Sequence, residues 1–276
     1  MIARAPETVA LRERVAFESC PLCACEDAAE IVVADASRHA LYKAGLPPIM
    51  RWIRCDGCAH VFVDGYLDDA ALALLFSDAH PSQTPGYDVG NARGIAARIV
   101  DDVSRVRGSP ELGGRWLDVG FGDGSLLTTA DEFGYEAVGL DLRASSVARM
   151  RELGFDAHCT TLADFQTAGR FDVVSMADVL EHMPFPKPAL ARAHALLADD
   201  GVLFVSMPNM DAFVWRDLDA KGKNPYWAEI EHLHNFGRKR LYALLEEMGF
   251  RPRRYGISQR YVACMEVVAT KVPAPR

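Results

Sequence analysis

Three glycines at alternate positions, Gly120, Gly122 and Gly124, follow an apolar run that carries Asp118, in the stretch LDVGFGDGS at 117–125. Glycine accepts positive φ and lets a ligand come close to the backbone. Asp141 ends the next apolar run, 21 residues after Gly120, where a carboxylate can accept both hydroxyls of a ribose. A dinucleotide needs Gly-x-Gly-x-x-Gly, with its pyrophosphate on the helix N-terminus. Here the spacing is Gly-x-Gly-x-Gly, and Ser125 stands at the third dinucleotide position. Asp118 would repel a pyrophosphate but suits a cation. S-adenosylmethionine, which has an ammonium, a sulfonium and no phosphate, matches this pattern. A glycine-rich turn with no ligand is the plain alternative.

Cys20-Pro-Leu-Cys23 and Cys55-Asp-Gly-Cys58 are two Cys-x-x-Cys units separated by 31 residues. Together they predict a tetrahedral four-thiolate site for Zn²⁺. A closed shell leaves no open position, so this zinc is expected to be structural. Cys25 is read as a non-ligand, and His39 and His60 as possible substitutes; buried free thiols are the alternative. Two further clusters suit acid–base work. In ADVLEHMPFP, Asp178, Glu181 and His182 lie three and four residues apart, so one helical turn presents them together. His182 is then a base or an acceptor contact, or else it and Glu181 only brace the turn. In YWAEIEHLHNF (226–236), Glu231, His232 and His234 bring a carboxylate and two imidazoles into one loop; a hydrogen-bonded surface loop is the alternative. Tyr226, Trp227 and Phe236 either wall a pocket or belong to the core. Tyr87, between Pro/Gly-rich residues, either closes over a donor or is a plain loop residue.

The elements that must hold these groups show a change of rhythm at Arg115. RWLDV, YEAVGLDL, FDAHC, FDVVSM and GVLFVSM read as strands, and SLLTTADEF, ASSVARMREL and KPALARAHALLA as helices. That alternation predicts β-α-β units and a parallel sheet covered on both faces. Ligands of such sheets bind outside the carboxyl ends of the strands, where the glycine run, Asp141 and the Asp178–His182 turn all fall. A last helix, RKRLYALLEEMGF, precedes PRRYGIS and YVACMEVVATK, two strand-like runs placed to pair antiparallel. Upstream, 66–80 reads as a helix and 80–88 as a loop; Ile95, Ile99, Val103 and Val106 then share one helical face. The expected organisation is a zinc-ribbon module over 1–65, a helical linker or cap over 66–110, and the α/β domain over 111–276.

The chain has 276 residues, half of them hydrophobic, and a net charge of −8. A sizeable core is possible, and the basic footprint of a nucleic-acid partner is missing. No apolar run reaches membrane-spanning length, and the first residues lack the apolar core of a signal peptide. A cytoplasmic location is therefore expected, and in a reducing compartment paired cysteines favour metal over disulfide. Oligomeric state is not legible.

As a set, LDVGFGDGS, GLDL, FDVVSMADVLEHMPFPKPAL and GVLFVSMPN, over roughly 115–210, resemble the class I S-adenosylmethionine-dependent methyltransferases. The resemblance implies an α/β, Rossmann-like sheet of seven strands whose last two form a hairpin. It implies Asp118 and Gly120 at the methionine end of the donor, with Gly122 and Gly124 in the same loop. Asp141 would hold the ribose, Leu142 would lie against the adenine, and Thr161 and Leu162 are the nearest candidates for the adenine amine, with Asp178 also beside the donor. An N-terminal zinc ribbon, CPLC…RCDGCAHVFVD, is similar to that of the deoxysugar C-methyltransferases and of a wider bacterial set tied to glycan and natural-product pathways. Related knuckles usually carry Gly where this chain has Ala24 and Ala59. The similarity maps an active-site Glu-His pair onto Glu231 and His232, so His232 is expected as the base or acceptor-positioning residue, oriented by Glu231, with His182 its competitor and His234 a third. The sugar enzymes carry a further C-terminal domain that is not expected here, since the chain ends about where the core ends. The implied activity is C- or O-methylation of a small-molecule or sugar-linked acceptor. A nucleic-acid or protein acceptor, and a non-catalytic binding module, are the alternatives.

Overall fold

The computed structural model describes residues 12–76, 84–86, 88–108 and 113–272. No helix among them is long and apolar enough to cross a membrane. The N-terminal part contains β1 (Val15–Ala16), β2 (Ala28–Asp35), β3 (Ile49–Cys55), β4 (Val61–Val63), β5 (Gly65–Tyr66) and α1 (Asp69–Leu75). The helix expected from residue 66 begins later. Gly65 and Tyr66 pair with Ala16 and Val15, and the Asp68 carboxylate accepts the Ala71 N–H at 2.7 Å, which sets the first turn.

Then come α2 (Val89–Arg107), β6 (Gly114–Val119), α3 (Ser125–Glu132), β7 (Tyr135–Asp141), α4 (Ala144–Glu152), β8 (Asp156–Cys159) and β9 (Phe171–Ala177). The chain continues through α5 (Pro186–Leu196), β10 (Leu197–Pro208), α6 (Phe213–Ala220), β11 (His234–Asn235), α7 (Arg238–Glu247), β12 (Phe250–Ile257) and β13 (Cys264–Lys271). Seven strands form one sheet in the order β12-β13-β10-β9-β6-β7-β8. The inner strands run parallel, and the expected hairpin supplies the antiparallel pair, with β13 between β10 and β12.

Successive side chains of a strand point to opposite faces, and here both faces are apolar. Trp116, Val173, Phe204 and Val268 pack with Ile99 and Val103 of α2 and Leu127 of α3 on one side. Leu117, Val174, Val205 and Val267 pack with Leu190 of α5 and Leu241 and Leu244 of α7 on the other. This two-sided burial explains why the strands read as continuous apolar runs. It also brings every β-to-α turn to one edge of the sheet.

A second sheet, of order β11-β4-β3-β2, takes three strands from the N-terminal part and its fourth, His234–Asn235, from the far end of the chain. Trp52, Val63, Leu75 and Ile230 share its core. Cys20, Cys55 and Phe62 belong to the same apolar cluster as the large sheet, so the two parts are packed together.

The two cysteine pairs form matching turns. The N–H of Cys20 donates to the carbonyl of Cys25, and that of Cys55 to the carbonyl of His60, both at 2.9 Å. The Ala24 and Ala59 N–H groups return to the Cys20 and Cys55 carbonyls. Both alanines are left-handed, at φ 59° and 57°, the conformation in which a Cβ is strained and glycine is not. Sulfur–sulfur distances are 3.7 Å for Cys20–Cys58 and 3.4 Å for Cys23–Cys55. Four thiolates around a zinc with bonds of about 2.3 Å stand about 3.8 Å apart, so the donor set fits that ion. Cys25 turns away to the Asp27 carbonyl, while His39 and His60 pair elsewhere. Ala24→Gly and Ala59→Gly should each raise stability by up to about 1 kcal/mol. Chemical denaturation checks this; a loss of stability in both variants would contradict the strain.

Candidate functional site

At the carboxyl edge of the large sheet lies a cavity of about 540 Å³. One wall is the glycine turn. Gly120, at φ 68°, has no room for a side chain, because a Cβ there would meet Val179 at 2.7 Å. Gly122 also lines the cavity, at φ 58°, whereas Gly124 caps α3 against Met150 and does not reach it. Asp141, Leu142, Thr161 and Leu162 continue the wall. Leu142 keeps 58 % of its surface free, a flat apolar face at the mouth. The Thr161 hydroxyl is committed to Asp164 at 2.7 Å.

Asp141 is already engaged. Its carboxylate accepts the Gly122 N–H at 3.1 Å, the Arg143 N–H at 2.9 Å, and the Arg143 guanidinium through Nε at 2.9 Å and Nη2 at 2.8 Å. Arg143 also lines the cavity, and nothing in the residue spacing singled it out.

Asp118 lies behind the turn, not on the wall. Its Oδ1 accepts from the Ser175 hydroxyl at 2.6 Å, and Ser175 in turn receives the Trp116 indole N–H at 2.8 Å. Its Oδ2 is buried with no partner among the described residues. Burial, then the nearby Asp123 and Asp141 charges, push its carboxyl up to about 7, against the Ser175 bond. On the far side of Asp178 and Arg260, a smaller cavity of about 210 Å³ runs between α2 and Asp123. Arg260 pairs with Asp123 at 3.4 Å; it and Tyr261 reach both cavities from the β12–β13 turn. Sequence spacing missed both, because only the sheet order brings that turn over the site. Tyr87 lies outside the described residues.

The opposite wall carries Asp178, His182 and Glu231. Asp178 sits at φ 54° and is held by Ser206, whose hydroxyl donates to Oδ1 at 3.0 Å. His182 ends the short 3₁₀ turn Leu180–His182. Its Nδ1 lies 3.0 Å from the Glu231 carbonyl. A carbonyl only accepts, so Nδ1 carries the proton and the neutral ring keeps Nε2 as a base. His232 stands behind His182, edge to face at 4.8 Å, buried and off the cavity wall. Burial, then His182 and His39, hold it well below the usual imidazole range.

Glu231 is raised by burial and drawn back by His182 and His39. His39, from the N-terminal part, lies 2.7 Å from Glu229 and 3.5 Å from Glu231. His234 does not join this group. It bonds the Met183 carbonyl and His60, and burial lowers it to about 4. Glu181 turns inward, fully buried. Tyr226, Trp227 and Phe236 pack on Trp215, Trp52 and His60, away from the cavity.

Asp118 supplies a pH test. A carboxyl raised in the folded state stabilises the fold below its unfolded value near 4, and that contribution is lost as pH rises through about 7. Between about pH 5 and about pH 8, wild type should therefore lose stability relative to Asp118→Asn. Urea unfolding at the two values checks this, and a constant difference would show that Asp118 ionises normally.

Residues 92–254 match a family model described as a methyltransferase domain. Over 146 residues, 45 % of this chain and 57 % of the relative, the chain is 31 % identical to a ubiquinone biosynthesis O-methyltransferase of Rhodopseudomonas palustris (strain HaA2). Over 113 residues it is 38 % identical to the Idiomarina loihiensis protein of the same name, covering 38 % of this chain and 46 % of that one. The chain thus spans about half the length of these curated relatives. Among solved structures, a Burkholderia thailandensis 1,6-didemethyltoxoflavin-N1-methyltransferase with bound 1,6-didemethyltoxoflavin and S-adenosylhomocysteine superposes with a TM-score of 0.57 at 21 % identity, covering 78 % of this chain and 96 % of that one. A magnesium protoporphyrin IX methyltransferase of Synechocystis PCC 6803 gives 0.52 at 17 % identity, covering 75 % and 90 %. Both likenesses are of fold. With the family model matching more than half of its length, the chain belongs to the methyltransferase-domain family of class I S-adenosylmethionine-dependent enzymes.

Proposed function

We propose that this chain methylates an oxygen of a small-molecule acceptor, with the donor on the glycine-turn wall and the acceptor against His182 and Glu231. The observation that carries this reading is one cavity lined both by a strand-end carboxylate with a side-chain-free glycine turn and by an imidazole whose Nδ1 is held on a carbonyl. S-adenosylmethionine supplies, when bound, a methyl on a sulfonium, whose departure as a neutral thioether needs no protein acid. Asp141 would take the ribose hydroxyls once Arg143 yields them a share of its carboxylate. Leu142 offers an apolar face to the adenine.

The acceptor hydroxyl would give its proton to His182 Nε2 as its oxygen forms the new bond to the methyl carbon, and the imidazolium is then stabilised by Glu231. The assignment moves the base from His232 to His182, because only His182 has an unpaired ring nitrogen on the cavity wall. The names of the curated relatives support oxygen as the acceptor atom. The four-cysteine module and the Glu231–His232 pair favour a second reading, C-methylation of a sugar-linked acceptor. An isotope-labelled methyl donor separates the two by the product's methyl resonance.

The Cys20, Cys23, Cys55 and Cys58 cluster is proposed to hold a structural zinc. Protein purified without added metal should carry about one zinc per chain by elemental analysis; metal-free protein with an unaltered N-terminal fold would contradict the role. With an acceptor in hand, His182→Ala should lower kcat by about 10²–10⁴-fold while donor affinity holds. The reverse pattern, His232→Ala crippled and His182→Ala near full turnover, would restore the base to His232.

A further inference from the structure

We propose that the groove between the first cysteine turn and helices α5 and α7 binds an oxyanion, a phosphate or a carboxylate, carried by the methyl acceptor, with Arg240 as its main partner. The groove has a volume of about 750 Å³. Residues 15–24 and Tyr66 form one side, and Phe185, Lys187, Arg240 and Glu247 the other.

Only 21 % of the Arg240 side chain is exposed. Its Nε is buried with no partner among the described residues. Its one ion pair among them, Nη2 to Glu247, is 4.0 Å long, beyond hydrogen-bond reach. Glu247 is bonded directly by Lys187 instead. A guanidinium offers five N–H donors and stays charged at any ordinary pH. Holding that fork largely out of water with no hydrogen bond is unfavourable, and an oxyanion can satisfy it through two parallel N–H···O bonds. Arg143 and Arg260, on the larger cavity, differ in that both rest on carboxylates. Glu18, the other carboxylate on the groove, is exposed to water.

The groove also has a place for the body of such a ligand. Phe17, Tyr66 and Phe185 make a three-ring corner, with centroids 5.1 Å apart for Phe17–Tyr66, 5.6 Å for Tyr66–Phe185 and 5.8 Å for Phe17–Phe185. That surface suits an apolar, ring-bearing molecule. Phe185 is 47 % exposed and lines the larger cavity as well, so the groove shares a wall with the proposed site of methyl transfer. An acceptor that fits both has its hydroxyl at His182 and its oxyanion on Arg240, which would position the reacting oxygen from a distance. The link to the acceptor rests on the proposed methyl transfer; anion binding by the groove does not.

Phenyl phosphate and benzoate are suitable probes, with phenol as the uncharged counterpart. Each would be titrated into the full chain and followed by ligand-observed saturation-transfer resonance. At least one of the two anions should bind, and the tighter one tells phosphate from carboxylate; phenol should bind about tenfold or more weakly. Arg240→Gln should weaken the anion about tenfold or more, and Phe185→Ala about threefold. Arg251→Gln, exposed on β12 and outside the groove, should bind as wild type does. No binding of either anion, or equal binding by wild type and Arg240→Gln, overturns the site. Phe185 is half exposed, so its variant decides the matter even if Arg240→Gln fails to fold, and unchanged anion binding in Phe185→Ala also overturns the site. With an acceptor bearing the favoured anion, Arg240→Gln should raise KM about tenfold at unchanged kcat; an unchanged KM detaches the groove from the acceptor. Calorimetry with S-adenosylhomocysteine on the same samples keeps the two readings apart: donor binding without anion binding refutes the groove alone, and anion binding without donor binding refutes the methyl-transfer reading alone.

Discussion

A few backbone hydrogen bonds hold together the side of the site that carries His182 and Glu231. The Val63 N–H of the N-terminal sheet donates to the Leu233 carbonyl at 3.0 Å, and the Leu233 N–H donates to the Glu181 carbonyl at 2.9 Å. His234 and Asn235 pair with Phe62 and Val61 on the same ladder. The cysteine-bearing part, the loop with Glu231 and His232, and the turn with Glu181 and His182 are thereby one hydrogen-bonded run. His39 adds an ion pair to that loop from the N-terminal side. The N-terminal part therefore braces, from outside, the wall that carries His182 and Glu231.

The wall formed by the glycine turn is built differently. It depends on the sheet alone, through the glycine turn after β6 and the carboxylate at the end of β7. Its groups have no free valence in this state: Asp141 is saturated by Arg143 and by backbone N–H groups. On the proposed reading a ribose would compete with a guanidinium for the same oxygens, so donor affinity would reflect an exchange of partners more than the filling of an empty acceptor. The buried Asp118–Ser175–Trp116 chain beneath the turn fixes the floor. The Asp118 Oδ2 there is fully desolvated and has no partner among the described residues.

Much of this was legible in the residues. The alternation of apolar runs after Arg115 marks the inner strands of the large sheet, because two-sided burial demands uniform apolarity. Glycine spacing and Asp141 locate one wall of the larger cavity, since a positive-φ turn and a carboxylate at a strand end leave local signatures. The matched cysteine spacing anticipates two matching turns. What depended on tertiary contact was not legible. Two residues, His234–Asn235, make too short a strand to show a period, and they pair with a strand some 170 residues away. Glu231, His232 and His234 look like one cluster in the sequence, but a turn closed by the His232 N–H on the Glu229 carbonyl, followed by the short strand His234–Asn235, sends them to the cavity, to His182 and to His60. Arg260 reaches Asp123 only because β13 inserts between β10 and β12.

The central claim is that Asp141 and the glycine turn hold the donor nucleoside in the larger cavity. Calorimetric titration with S-adenosylhomocysteine tests it most directly. The account predicts one site per chain, weakened by about 1.5–3 kcal/mol in Asp141→Ala, the scale of hydrogen bonds lost to a charged group. Unchanged affinity in a folded Asp141→Ala variant, or no binding by wild type, would contradict it.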